Sequence, residues 1–260
     1  MFVCLIKEYR LKYQTKQKKG KFGMDVHSIS THCTRTEFVG TAVLDTIGLV
    51  ISGIDNALLK KMNIGKQYHV LGLLSSRTGA AGQLTAMDEA VKATNTELLS
   101  FDLPRDTKGW GGHGNYIVIG GHDVSDVRHA IELALELTNR NAGEVYISES
   151  GHLEFAYSAS AGEVLVKAFG AKPGQAFGFF AGSPAAIGLV MSDHAVKAAE
   201  VEIINYMTPS IGTSHSNEVI LAVSGDAAAV KAAVLEARQI GLELLISMGT
   251  YPEIPGTPYL

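Results

Sequence analysis

The chain carries one pattern twice. Ala90-Val91-Lys92-Ala93 recurs as Ala195-Val196-Lys197-Ala198, 105 residues on, and at that spacing Asp88 meets Asp193, Glu97 meets Glu202, Leu98-Leu99 meet Ile203-Ile204 and Pro104 meets Pro209. Upstream, Leu58-Leu59-Lys60 corresponds to Leu165-Val166-Lys167; downstream, Asp123, Val127, Arg128 and Ile131 correspond to Asp226, Val230, Lys231 and Val234. The spacing drifts from 107 to 103 along the chain, and the drift falls in Gly-rich loops, where insertions are tolerated. A unit this long, present twice, describes duplicated domains and not a solenoid.

Each copy reads the same way. In the first, His69–Ser75 has the unbroken apolar run of a buried strand. A helix over 79–94 follows, with Leu84, Met87 and Val91 on one face, then a strand over 97–103, a loop over 104–115 and a strand over 116–121. A helix over 124–138 places Val127, Ile131 and Leu135 at helical spacing. The second copy repeats this with a strand over 176–181, a helix near 187–199, a strand over 202–207, a loop over 208–217, a strand over 218–223 and a helix over 226–241. Ahead of each unit lies extra material, with a strand and a short helix expected within 37–63 and again within 144–170. The expected fold class is α+β, each half a sheet with its helices on one side.

Composition narrows the function. Of 260 residues, 46% are hydrophobic and only 18% charged; globular proteins average about 25% charged, so much of this surface is expected to be covered by other subunits. No apolar run approaches the ~20 residues of a membrane span, and the N-terminal stretch is too short in its apolar part for a secretory signal. Cys4 and Cys33 show no metal-ligand spacing, which fits a reducing cytoplasm. Residues 1–23 hold seven of the 22 Lys and Arg and one acid, Glu8, leaving 15 basic and 25 acidic residues in the rest. A basic appendage therefore precedes an acidic body.

The runs GLLSSRTGAAGQLTAMDEAVKATNTELL (72–99) and YIVIGGHDVSDVRHAIELA (116–134), matched by GFFAGSPAAIGLVMSDHAVKAAEVEII (178–204) and EVILAVSGDAAAVKAAVLEA (218–237), resemble the bacterial microcompartment (BMC) shell domain. The extra strand and helix ahead of each unit resemble the circularly permuted, tandem-domain subclass. The segments 37–59, 103–114 and 212–218 are similar to its propanediol- and ethanol-utilisation branches. The resemblance covers about residues 36–250. It implies two tandem domains of a ferredoxin-like-related fold, 36–142 and 143–252, each chain forming one third of a trimeric pseudo-hexagonal tile; 1–35 and 253–260 are then terminal extensions.

The resemblance also implies roles for particular residues. Lys92 and Lys197 would stand on tile edges, where shell proteins meet across two-fold contacts and a long Lys caps a neighbouring carbonyl. The loops would surround the pseudo-six-fold axis, with Arg105, Asp106, Lys108, Gly109, Trp110, Gly111, Gly112, His113 and Gly114 from the first and Ser210, Gly212, Thr213, Ser214, His215 and Ser216 from the second. Glycine permits more than one loop conformation, and the polar groups would offer hydrogen bonds to small alcohols or aldehydes passing through. Some relatives gate this axis and others have smaller channels through each subunit; both remain open. No cofactor is implied, since iron–sulfur relatives hold their cluster through a loop Cys that is absent here.

Other classes fit less well. GWGGHG (109–114) lacks the Lys of a phosphate loop and does not open a helix, and Ser214-His215 lacks an orienting acid, so catalysis is not expected. His113, His122, His152, His194 and His215 match no ligand spacing, so no metal is expected. Nucleic-acid binding would rest on the basic tail alone. A small-molecule-sensing oligomer of ferredoxin-like shape remains the alternative; it would stay discrete where a tile forms sheets. In the tail, Phe2, Leu5, Ile6, Tyr9 and Tyr13 fall at helical spacing opposite a basic face. That pattern fits either a helix that docks encapsulated enzymes or other shell components, or an extension ahead of a start at Met24.

Overall fold

The computed structural model describes residues 35–64, 68–105 and 112–260, and Thr36–Leu260 form one compact unit. The basic tail and its expected helix lie outside the described residues, as do Asp106, Lys108, Gly109, Trp110 and Gly111. Among the described residues no helix is long and apolar enough to cross a membrane, and no group of three His, Cys, Asp or Glu is placed to hold a metal ion.

The first half runs β1 (Phe38–Ala42), β2 (Thr46–Ile51), α1 (Asn56–Lys61), β3 (Val70–Ser76), α2 (Ala81–Lys92), β4 (Thr96–Asp102), β5 (Asn115–Gly121) and α3 (Val124–Asn141). After a short 3-10 turn, Ala142–Glu144, the second runs β6 (Val145–Ile147), β7 (His152–Ser158), α4 (Glu163–Phe169), β8 (Ala176–Ser183), α5 (Ala185–Ala198), β9 (Glu202–Met207), β10 (Val219–Gly225) and α6 (Ala227–Ser247). Each half forms a five-stranded sheet, of order β1-β2-β3-β5-β4 in the first and β6-β7-β8-β10-β9 in the second. All pairs are antiparallel.

The sequence departs from this in two places. The segments before α1 and α4 each hold an antiparallel strand pair, β1–β2 and β6–β7, not a single strand. The β1–β2 turn puts Leu44 and Asp45 in the left-handed region at φ 62° and 55°; without Gly or Pro it leaves little turn signature. The helices also do not share one side of each sheet. In the first half, Val70, Leu74, Ile117 and Ile119 face α2 and α3, while Leu71 and Val118 face the opposite way and cluster with Ile54 and Leu59 around α1. The short helix α4 mirrors this on the second sheet, with the Phe169 ring 5.8 Å from Phe177 and 5.5 Å from Phe179. Strands buried on both faces read as continuous apolar runs, so GFFAG and VLGLL gave no clue to the second layer.

Capping fixes the helix starts. Asp55 accepts from the N–H of Ala57 and Leu58 at the head of α1, and Asp226 from Ala228 and Ala229 at the head of α6; such side-chain caps satisfy backbone donors that a helix leaves orphaned. The C-terminal segment folds back onto the seam between the halves. Glu253 pairs with Ile147 through both backbone hydrogen bonds. Glu144, fully buried, accepts from the backbone N–H of Tyr259 and Leu260, from the Tyr146 hydroxyl and from Arg238. Burial first, then the Glu144 charge, pushes the Tyr259 phenol up to about 12.

Candidate functional site

The two halves meet along a seam. On its apolar side Leu84, Met87 and Leu98 of the first half share one core with Val164, Leu165 and Phe169 of the second, and the rings of Phe101 and Phe169 lie 5.6 Å apart. On its polar side, buried Asp88 on α2 accepts from the N–H of Gly162, Val164 and Leu165 at 2.9, 3.1 and 3.2 Å. One half therefore caps a helix of the other, placing a carboxylate against the positive end of the α4 dipole. Gly162 makes this possible, because a Cβ there would lie 2.8 Å from Asp88 Oδ1. The exchange is reciprocal: Lys167 of α4 donates to the Leu98 carbonyl at 3.1 Å.

A second set of charges sits at the head of α2. Glu154 of β7, fully buried, accepts from the N–H of Ala80 and Ala81, both at 3.0 Å, and lies in ionic contact with His152 at 2.8 Å. Burial works to raise the Glu154 carboxyl, but the charges of His152 and His113 and the Ala80 N–H outweigh it and hold it down at about 2. His113, at the end of the first loop, places Nδ1 2.6 Å from Glu218 Oε1. Burial alone would lower this imidazole; the Glu218 charge and hydrogen bond, with the Glu154 charge, lift it to about 9. The halves are thus joined beside the loop base by the His113–Glu218 pair and by the Ala80 and Ala81 amides on Glu154, whose histidine partner His152 stands on the same strand.

The sequence-selected residues divide between this seam and the exposed surface. Gly112, His113 and Gly114 are buried, whereas Arg105, bridged to His113, stands exposed. Gly112 packs on His152, where a Cβ would come within 2.6 Å of the imidazole. In the second loop Ser210, Gly212, Ser214 and His215 are exposed while Thr213 and Ser216 are buried. Thr213 ties the loop by donating to the Thr208 carbonyl at 2.8 Å. Ser214 and His215 adopt left-handed backbone at φ 51° and 64°, an uncommon conformation for residues with a Cβ.

Lys92 and Lys197 occupy equivalent ends of α2 and α5 but have different neighbours. Lys92 donates to the Ser160 carbonyl at 3.1 Å and to Glu89 at 2.5 Å, its stem half-buried beside a polar recess lined by Asn95, Asp126 and His129. Among the described residues Lys197 pairs with Asp193 on its own helix, at 2.6 Å, and its side chain is 72% exposed. Sequence reasoning gave Asp88, Glu154, Glu218 and His152 no role at a site. Asp88 and Asp193 were visible as a repeated pair, whereas Glu154 and Glu218 have no acidic counterpart in the first half, where Ile47 and Gly114 take their places.

The comparisons agree with this architecture. The BMC domain model matches residues 70–150 and 176–254. The chain is 51% identical over 228 residues to bacterial microcompartment shell protein PduB of Citrobacter freundii, covering 88% of this chain and 84% of that one. It is 48% identical over 225 residues to PduB of Limosilactobacillus reuteri, covering 86% and 94%. Among solved structures, a trimeric microcompartment shell protein PduB superposes with a TM-score of 0.83 at 48% identity over 86% of this chain and 99% of that chain. EtuB from Clostridium kluyveri does so at 0.85 and 46%, covering 88% and 100%.

Proposed function

The chain belongs to the bacterial microcompartment shell family, and we propose from that premise that three copies close into a pseudo-hexagonal tile that lies beside other tiles in the wall of the compartment. The chain is a structural shell protein. The observation that supports the tile is the seam: two halves of one sheet order stand side by side, domain 36–142 against domain 143–252, joined through α2, β4 and α4. Six such halves, two per chain, make a closed ring of near-equivalent positions. The compartment lies in the cytoplasm, and the protein catalyses no reaction there.

On this reading Lys92 and Lys197 stand on the tile rim, each with its ammonium over a carbonyl and its stem presented to an antiparallel mate across a two-fold contact. The Arg105 loop and the Ser210–His215 loop alternate around the central axis and pass small alcohols and aldehydes of the propanediol, glycerol or ethanol type. The basic segment 1–23 holds encapsulated enzymes or neighbouring shell components. The test of the rim is the double variant Lys92→Ala with Lys197→Ala. Trimers that no longer lay down hexagonal sheets are the expected result; normal sheets from the variant would remove both lysines from the edge.

A further inference from the structure

The chain passes from the first half to the second once, through the turn Ala142–Glu144, and that turn is gripped from two sides. On one side lies α2: a Cβ on Gly82 would meet Ala142 Cα at 3.3 Å, and Asn141 donates to Thr85 Oγ1 at 3.2 Å. On the other side runs the segment 250–260. A Cβ on Gly143 would collide with the Thr257 carbonyl, so backbone lies directly on backbone there.

The segment has the character of an added strand. Pro252 is buried and Ile254 and Gly256 are half-buried, while Tyr251, Glu253, Pro255 and Thr257 are exposed, the period of two that an extended chain shows. Glu253 and Ile147 exchange both backbone hydrogen bonds, at 2.6 and 2.9 Å, which places the segment along β6, the edge of the second sheet. Thr250 donates to Ser150 Oγ at 3.1 Å, and Ile254 and Leu260 pack against the second-half core. Prolines at 252, 255 and 258 fix φ in the extended range and remove three backbone donors, so the segment loses little freedom on docking and offers a further strand few hydrogen bonds.

Glu144 is the catch. One of its oxygens accepts from the Tyr259 and Leu260 N–H at 2.7 and 2.8 Å, and the other from Arg238 and the Tyr146 hydroxyl at 3.0 and 3.2 Å. A buried carboxylate is costly unless its lone pairs are filled, and two of these four donors belong to the segment itself. Any state in which the segment lifts away therefore leaves Glu144 short of partners.

We infer that residues 250–260 are a clasp: a strand-like sixth member of the second sheet that pins the turn between the halves against α2 and so holds the seam in one arrangement. Helix α2 carries the effect, since its Gly82 touches the turn and its Asp88 caps α4 across the seam. The clasp acts within one chain, so it stands or falls apart from the trimer.

Amide hydrogen exchange of the full chain, read by mass spectrometry, tests the clasp. In the wild type, peptides covering 250–260 are expected to be protected alongside β6 and β7. Gly143→Ala pushes the Thr257 carbonyl away. It is expected to speed exchange about tenfold over 250–260 and also over Gly162–Leu165, whose N–H groups Asp88 holds, while β9 and β10 keep their protection. Glu253→Pro, at an exposed position, removes one ladder donor without touching the turn; it is expected to move the same two regions by a smaller factor, and it decides the matter if Gly143→Ala does not fold. Wild-type exchange over 250–260 at the rate of an unstructured peptide overturns the clasp. So does a variant in which 250–260 loses protection while Gly162–Leu165 keeps it.

Discussion

His113 holds Glu218 at 2.6 Å across the boundary between the two halves, with both side chains sealed from solvent. The loop that ends at His113 is therefore anchored by a charge pair belonging to the other half, which links its position to the integrity of the seam. Removing one partner of a buried pair leaves an uncompensated charge and costs about 3–5 kcal/mol. His113→Ala is expected to lower stability by that amount, read from urea midpoints at fixed protein concentration. Glu218→Gln, which keeps an acceptor, should lose less.

The same pair sets an alkaline limit. The folded-state value of His113 is raised, to about 9, above its ordinary 6.5. Its contribution is therefore complete below pH 6.5 and lost as pH rises through about 9. The wild type is expected to lose stability over that interval, and His113→Ala to lose none by this route. Equal alkaline losses in both chains would contradict the assignment.

Glu154 sets the acid limit. Its value is lowered from 4.5 to about 2, so its contribution is present above pH 4.5 and lost as pH falls towards 2. Glu154→Ala also uncovers the Ala80 and Ala81 amides, and a loss of about 3–5 kcal/mol is expected at neutral pH, with a flatter stability profile below pH 4.5.

Asp88 and Asp193 are equivalent in sequence and opposite in effect. Asp88→Ala removes the cap of α4 and is expected to cost about 2 kcal/mol, the upper range for such caps. Asp193→Ala should change the stability of the folded chain by less than about 0.5 kcal/mol, as exposed substitutions do. Gly162→Ala should resemble Asp88→Ala, because its Cβ displaces the carboxylate. Matching losses from both aspartates would contradict that assignment.

Much of this fold was legible because the repeat supplied each element twice. β9 matches the strand read from the sequence, and β3, α2, β4 and β5 lie within a few residues of it. The β1–β2 hairpin was hidden because Leu44 and Asp45 turn the chain without Gly or Pro. The placement of α1 and α4 on the far side of the sheets was hidden because a strand buried on both faces shows no alternation. The paired lysines were visible as a motif, but their unequal neighbours were not: Lys92 meets the Ser160 carbonyl of the other half, whereas Lys197 meets Asp193 on its own helix. The buried pairs were illegible for a different reason. His113 read as one polar residue among loop glycines, and Glu218 and Glu154 as ordinary strand acids; the His113–Glu218 pair and the Glu154 contacts to Ala80 and Ala81 form only where the two halves converge.

The measurement that bears most directly on the shell tile is solution mass by light scattering joined to negative-stain imaging at high concentration. The expected result is a particle of three times 27.6 kDa that lays down hexagonally packed sheets. A monomer or a dimer that never tiles would contradict the tile and return the chain to a discrete, sensor-like oligomer.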